Sequence, residues 1–129
     1  MKRIGLFVFL LSSISLAHAQ IPTDAIAPLS KEEVVPLLQG AKVDFTSKKG
    51  NQLSWKNELD GTMFASSVGS GRGTTTRGTW KIDDKGRFCV VIDWPSSHEE
   101  WCRYVIKDGD SYYITSSKGQ RISKLTVTR

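Results

Sequence analysis

The feature that most constrains the fold of this chain is the position of its two cysteines on either side of a short turn signal. Cys89 and Cys102 flank a Pro-Ser pair at residues 95–96. If Trp94 and Ser97 face each other across that turn, the cysteines lie directly opposite on adjacent antiparallel strands, because each is five residues from the turn. A close, non-hydrogen-bonded pair of this kind can form a disulfide. Two buried free thiols are the alternative interpretation.

The stretch around the cysteines, residues 77–114, predicts four short strands joined by tight turns. Its apolar positions are rich in β-branched and aromatic residues, which favour a half-buried pleated surface. Gly86 and Gly109 can take the positive φ that tight turns require, and an Asp lies shortly before each. The predicted strands span residues 79–82, 88–94, 99–106 and 111–115.

The remainder of the chain continues the same pattern. Further strands are predicted at residues 42–46, 52–57, 62–68, 74–82 and 121–128, with turn signals every 8–12 residues. Every connection is hairpin-short, so the predicted fold class is mainly β. We expect a single antiparallel meander of about eight strands that forms a closed or partly closed barrel, which would limit exposed strand edges.

The first residues have the pattern of a secretory signal peptide at residues 1–19. Lys2 and Arg3 precede an apolar run, and Ala17-His18-Ala19 forms a small-x-small cleavage site before Gln20. The run is too short to span a bilayer. We therefore expect cleavage near Ala19-Gln20, a location in the periplasm or outside the cell, and no integral membrane segment afterwards. A short N-terminal anchor is the alternative.

Two further segments follow the predicted leader. Residues 20–29, with two prolines and little periodicity, predict an extended arm, and residues 30–129 predict one β-barrel-like domain. That domain starts with a short helix, because Ser30 and Glu33 fit a capping box and Gly40 fits a left-handed helix end. The helix is expected to pack against the sheet or plug it, although Pro36 weakens this prediction.

The charge of the chain does not indicate a nucleic-acid partner. Without Lys2 and Arg3, 16 basic and 13 acidic residues remain, a net charge of +3. The basic residues are scattered along the sequence, whereas nucleic-acid binding would require a cluster with interleaved aromatic residues. We expect a solvated surface and a monomer.

The sequence offers few residues for catalysis. The glycine-rich segment at residues 69–73 lacks the Lys-Ser/Thr ending of a phosphate loop and predicts a hairpin turn. His98 is the only histidine after the leader, and it lies beside two glutamates at a predicted hairpin tip, where solvent is expected. Asp93 and Glu100 could form a carboxylate pair for glycoside hydrolysis, but surface charges explain them as well. No catalytic residues, metal site or cofactor are predicted.

Aromatic residues are more informative, because four tryptophans are many for a domain of this size. Trp80 and Trp101 are expected to fill the core. Trp94, beside Pro95, is expected to be exposed at the hairpin end. Because exposed tryptophan and arginine often anchor interfaces, the candidate binding residues are Trp94, His98, Trp101 and Arg103.

Several short motifs resemble those of a family of small exported bacterial proteins known only as a domain of unknown function. The resemblance covers residues 29–114. It includes the capped helix that ends at Gly40 and the motifs Gly78-Thr79-Trp80, Arg87-Phe88-Cys89-Val90, Trp101-Cys102-Arg103 and Gly109-Asp110-Ser111-Tyr112. It implies a β-rich periplasmic domain with a paired-cysteine core and brings no catalytic residues.

These observations support three hypotheses about function. The first is a non-catalytic binding protein that recognises a protein or a cell-envelope component, for instance as an inhibitor of a hydrolase, through Trp94 and His98 at the tip of a rigid hairpin. The second is a carrier of a small ligand with a lipocalin-like barrel cavity, since eight strands can enclose one small molecule. The third, an enzyme, is disfavoured by the residue inventory.

Overall fold

One short helix and nine antiparallel strands make up the described part of the chain. A computed structural model describes residues 26–47, 49–69 and 72–129. The elements are α1 (Lys31–Leu38), β1 (Lys42–Thr46), β2 (Gln52–Asn57), β3 (Thr62–Gly69), β4 (Arg72–Ile82), β5 (Phe88–Trp94), β6 (Ser97–Arg103), β7 (Val105–Asp108), β8 (Ser111–Thr115) and β9 (Arg121–Thr128). The predicted leader at residues 1–19 and residues 20–25 of the predicted arm lie outside the described residues.

All nine strands belong to one curled half-barrel sheet, which confirms the predicted fold class. The strand order is β6-β5-β4-β3-β2-β1-β9-β8-β7, so β6 and β7 are the two outer strands. They are consecutive in the chain and are separated only by Tyr104. The sheet therefore curls far enough that the chain passes directly from one outer strand to the other.

The prediction of one strand at residues 99–106 was wrong, because the chain changes neighbours in the middle of that segment. β6 pairs with β5 as far as Arg103, and β7 pairs with β8 from Val105 onward. Between them, the carbonyl oxygen of Tyr104 accepts a hydrogen bond of 3.0 Å from the backbone N–H of Thr115. Tyr104 thus lies at the point where one continuous segment stops pairing with β5 and begins to pair with β8.

The hydrophobic core lies on the concave face of the sheet and under the helix. Side chains alternate between the two faces of each strand, and in β2 the buried residues are Leu53, Trp55 and Asn57. The core cluster consists of Val34, Leu38, Val43, Phe45, Leu53, Trp55, Met63, Ala65, Phe88, Val90, Ile92, Val105, Ile114 and Leu125.

Helix α1 closes one end of the half-barrel. Its buried residues, Val34 and Leu38, face the sheet. At its C-terminal end, the side-chain amide of the fully buried Asn57 donates a 3.1 Å hydrogen bond to the carbonyl oxygen of Leu38. Gly40 follows with a φ of +69°, as the sequence predicted.

The start of α1 is fixed by its cap and by a close approach to the β4–β5 turn. The backbone N–H of Ser30 donates a 2.8 Å hydrogen bond to the Glu33 carboxylate, as in a capping box. Gly86, in the turn, has a φ of +81°, and a Cβ at that position would lie 2.9 Å from the backbone nitrogen of Lys31. Glycine is therefore needed at Gly86 both for the turn and for the packing of the helix against it.

The predicted pairing of the two cysteines is confirmed. Cys89 lies opposite Cys102 in the β5–β6 register, and Trp94 lies opposite Ser97 across the two-residue turn. The two Sγ atoms are at disulfide-bond distance. Because the adjacent residues Phe88 and Val90 are in the concave core, the disulfide lies on the opposite, convex face of the hairpin.

Candidate ligand-binding site

A cavity of about 510 Å³ lies at the end of the half-barrel opposite α1; we call it the mouth cavity. Its walls come from the strands and turns that meet at this end. The lining residues are Phe45, Ser47, Lys49, Asn51, Leu53, Ser67, Thr74, Trp94, Pro95, Ser96, Ser97, Glu99, Arg103, Ile122 and Ser123. The set combines apolar side chains, many hydroxyl groups and three charged groups. The volume is within the range of about 300–1,000 Å³ that is common for small-molecule sites, and the lining is more polar than is usual for them.

Strand β6 supplies the charged wall of the mouth cavity. Along this strand Glu99, Trp101 and Arg103 are partly buried, whereas His98, Glu100 and Cys102 are exposed. This alternation follows from the pleat of a β-strand, which sends successive side chains to opposite faces. Glu99, Trp101 and Arg103 therefore share the concave face.

The Glu99 carboxylate is held by two indole groups. The Nε1–H of Trp94 donates a 2.9 Å hydrogen bond to Oε2, and the Nε1–H of Trp101 donates a 2.8 Å hydrogen bond to Oε1. Each carboxylate oxygen thus accepts one indole hydrogen. Hydrogen bonds to a charged acceptor are stronger than neutral ones, so this arrangement fixes the orientation of the carboxylate.

Arg103 lies next to this group and is stacked on Trp101. Its guanidinium carbon is 4.3 Å from the centroid of the indole ring, which is within the range of a cation–π interaction. Among the residues that the structure describes, no carboxylate lies within ion-pair distance of the guanidinium. Burial lowers the pKa of Arg103 from its ordinary value, and the negative charge of Glu99 partly opposes this shift. The group remains cationic at neutral pH, because arginine is not deprotonated in proteins.

Trp101 connects this charged wall to the core. Its ring centroid lies 5.6 Å from that of Trp55 and 5.8 Å from that of Phe88. Both of these rings are completely buried. Trp101, which was expected to fill the core, is partly buried and packs against the core, with the guanidinium of Arg103 over its ring.

Two residues lie elsewhere than the sequence predicted. His98 was expected in a hairpin tip, but it belongs to β6 and pairs with Asp93, because the turn consists of only residues 95 and 96. Trp94 was expected to be exposed, but it is partly buried, because its indole turns toward Glu99.

On the convex face, His98 lies between two carboxylates. Its Nδ1 is 2.6 Å from Asp93 Oδ1, and its Nε2 is 3.1 Å from Glu100 Oε2. The hydrogen bonds to Asp93 and then Glu100 raise the pKa of His98 above its usual value and favour the imidazolium form. Because both ring nitrogens already face a carboxylate, His98 forms a surface ion cluster here, with the carboxylates that were considered for glycoside hydrolysis.

Of the four candidate residues, the fold brings three together and leaves one apart. Trp94 and Arg103 line the mouth cavity, Trp101 lies against Arg103 on the same face, and His98 lies on the opposite face of the same hairpin. Glu99 was not among the predicted site residues. Glu99 precedes Trp101 by two positions, and side chains two positions apart on a strand lie on the same face. This spacing could have identified Glu99 as a residue of the concave face.

Potential metal ligands also meet at one place on the convex face. Asp83 Oδ and the sulfur atoms of Cys89 and Cys102 lie within 4.8 Å of one another. The two sulfurs are joined in a disulfide, so they offer no thiolate. The one ligand left in this group is the carboxylate of Asp83, which is already paired with Arg87.

Comparisons with known proteins give one family. The model of a family described as "Protein of unknown function (DUF995)" matches residues 6–114. None of the curated proteins matches this chain. Within the described residues, no helix combines the length and the apolar character that crossing a membrane requires.

Proposed function

The chain belongs to the family of proteins of unknown function DUF995, and we propose that it is a non-catalytic binding protein that holds a small ligand in the mouth cavity. The observation that carries this proposal is the cavity itself, about 510 Å³ in volume, whose lining combines apolar side chains with hydroxyl and charged groups. Small-molecule sites are concave and combine apolar surface with convergent polar groups.

The geometry supports a small ligand better than a protein partner at the hairpin tip. A protein-binding tip would use Trp94 and His98 together. Trp94 turns toward the concave face and donates to Glu99, whereas His98 faces outward between Asp93 and Glu100. The two side chains do not form one contiguous patch, so the hypothesis of a hydrolase inhibitor has less support.

Export to the periplasm or out of the cell remains part of the proposal. It is supported by the signal-like pattern of residues 1–19 and by the Cys89–Cys102 disulfide, since disulfides persist mainly in oxidising compartments. A non-catalytic role is supported by the engagement of His98 with two carboxylates and by the absence of a free thiol at the two cysteines.

The proposal can be tested by filling the mouth cavity. Ser67 lines the cavity, and its neighbour Ser66 lies on the convex face of β3 and donates to the carbonyl oxygen of Ser54. We expect the neutral fluorophore N-phenyl-1-naphthylamine to bind the wild-type protein saturably at one site. Ser67→Phe should weaken this binding by about ten-fold or more, because the ring occupies space in the cavity and the loss of only about 1.4 kcal/mol of contacts lowers an affinity ten-fold.

The matched control is Ser66→Phe, which adds the same ring to the other face of the same strand. It should leave the affinity for the fluorophore unchanged. If the probe does not saturate one site, or if the two variants weaken its binding equally, the mouth cavity is not a ligand site.

A further inference from the structure

We infer that the natural ligand is a small amphipathic organic anion whose anionic group binds Arg103 while its apolar body lies in the mouth cavity. This inference rests on the proposed function and adds the chemical class of the ligand. The anionic group can be a carboxylate or another oxyanion, since both accept two parallel N–H donors from a guanidinium.

The first observation is that Arg103 is positioned without a carboxylate partner. Its guanidinium carbon lies 4.3 Å from the centroid of the Trp101 ring. Within the described part of the chain no side chain forms an ion pair with it. A guanidinium has five N–H donors and no acceptor, and an anionic ligand in this half-buried site would accept from them in charge-assisted hydrogen bonds.

The second observation is that the nearest carboxylate is held away from Arg103. Glu99 lies two positions from Arg103 on the same face, which would ordinarily favour an ion pair between them. The indoles of Trp94 and Trp101 instead bind both of its oxygens. These two hydrogen bonds fix the carboxylate in an orientation in which it forms no ion pair with Arg103, so the guanidinium stays available to a ligand.

The third observation concerns the balance of charge and the apolar surface. Among the described lining residues, Lys49 and Arg103 are cationic and Glu99 is the one carboxylate. Phe45, Leu53 and Ile122 offer apolar surface on the strands opposite β6. An anionic group at one wall and an apolar body against the other match this distribution, and the partial burial of Arg103 strengthens the attraction because water screens it less.

Two fluorophores that differ only in an anionic group test this inference. 8-Anilinonaphthalene-1-sulfonate carries a sulfonate on the skeleton of the neutral N-phenyl-1-naphthylamine. We expect the wild-type protein to bind the sulfonate about ten-fold more tightly, as one or two charge-assisted hydrogen bonds would give. Arg103→Gln should abolish this preference, because the sulfonate loses its charged partner and the neutral probe does not.

Arg77→Gln is the matched control, because Arg77 is also stacked on an aromatic ring, with its guanidinium carbon 5.2 Å from the centroid of Phe64, but on the convex face. It should keep the preference for the sulfonate. Arg103→Lys, which retains the charge but not the planar fork, should show an intermediate preference. If Arg103→Gln does not fold, Arg103→Lys still shows whether the preference for the sulfonate depends on this side chain.

The role of the indoles has its own test. Trp94→Phe removes one donor to Glu99 and frees the carboxylate to pair with Arg103, so the preference for the sulfonate should fall several-fold. Adding Glu99→Gln to that variant removes the competing charge and should restore the preference. A merely structural role of Trp94 would leave the double variant as poor as the single one.

The outcomes separate this inference from the proposed function. If neither probe binds saturably, the proposed function fails, and the inference fails with it. If both probes bind at the mouth cavity with equal affinity, or if Arg103→Gln keeps the preference for the sulfonate, the proposed function stands and the inference is overturned.

Discussion

Alanine in place of Trp55 is expected to lower the free energy of unfolding by about 3–5 kcal/mol, the usual cost of deleting a buried aromatic ring. Trp55 is completely buried at the centre of the concave face. Its ring centroid lies 4.4 Å from that of Phe45, 6.0 Å from that of Phe88 and 5.6 Å from that of Trp101. Its removal opens a cavity that three other rings cannot refill without shifting. Denaturation in urea, followed by circular dichroism, measures the effect.

Phe64→Ala is the control for this prediction. Phe64 is 43% exposed on the convex face of β3, and its main contact is with the Arg77 guanidinium. Its loss should cost about 1 kcal/mol or less, as expected for an exposed cation–π pair. If Trp55→Ala leaves too little stability to measure, Trp55→Phe should give a smaller loss. That variant keeps an aromatic ring and removes an indole N–H that has no partner among the described residues. Equal effects of Trp55→Ala and Phe64→Ala would contradict the described core.

Removal of the disulfide is the second large effect. In the double variant Cys89→Ala/Cys102→Ala, we expect the free energy of unfolding to fall by about 2–5 kcal/mol. The bridge spans a sequence separation of 13 residues; on the loop-entropy model, closing such a loop stabilises the fold by about 3 kcal/mol. The bridge also joins β5 to β6, an outer strand that has β5 as its only neighbour in the described sheet.

Because the concave face of the same hairpin carries Trp94, Glu99 and Arg103, the double variant should also bind the sulfonate probe more weakly. Wild-type protein reduced with dithiothreitol serves as the control and should unfold at the same urea concentration as the double variant. A change of less than about 1 kcal/mol would mean that the bridge adds little to the β5–β6 pairing, contrary to the loop-closure argument.

Local signals in the sequence were sufficient for most of the strands and for the cysteine pairing. The two-residue turn at residues 95–96 fixes the β5–β6 register, and that register alone places Cys89 opposite Cys102. The cap at Ser30 and the positive φ of Gly40 are likewise local properties, which a few neighbouring residues determine.

Features that depend on distant parts of the chain could not be predicted in this way. The break at Tyr104 arises because β6 and β7 pair with different neighbours, β5 and β8, which lie at opposite ends of the strand order, and the whole sheet must curl to bring them to one segment. The mouth cavity depends on which end of the half-barrel α1 closes, and no motif encodes that choice. The Glu99 carboxylate accepts hydrogen bonds from indoles on two strands. The sequence therefore indicates the face on which Glu99 lies but not the partners of its carboxylate.

The central claim is that the mouth cavity opposite α1 is a ligand site. Its most direct test is to measure how the four indole N–H signals in a ¹H–¹⁵N spectrum respond to saturating sulfonate probe. Trp80 donates to the carbonyl oxygen of Glu58 in the β2–β3 turn, at the helix end of the sheet, and is an internal reference. Single Trp→Phe variants assign the signals. The indole signals of Trp94 and Trp101 should shift most and that of Trp80 least. The largest shift at Trp80, or unshifted signals of Trp94 and Trp101 at saturation, would contradict this account.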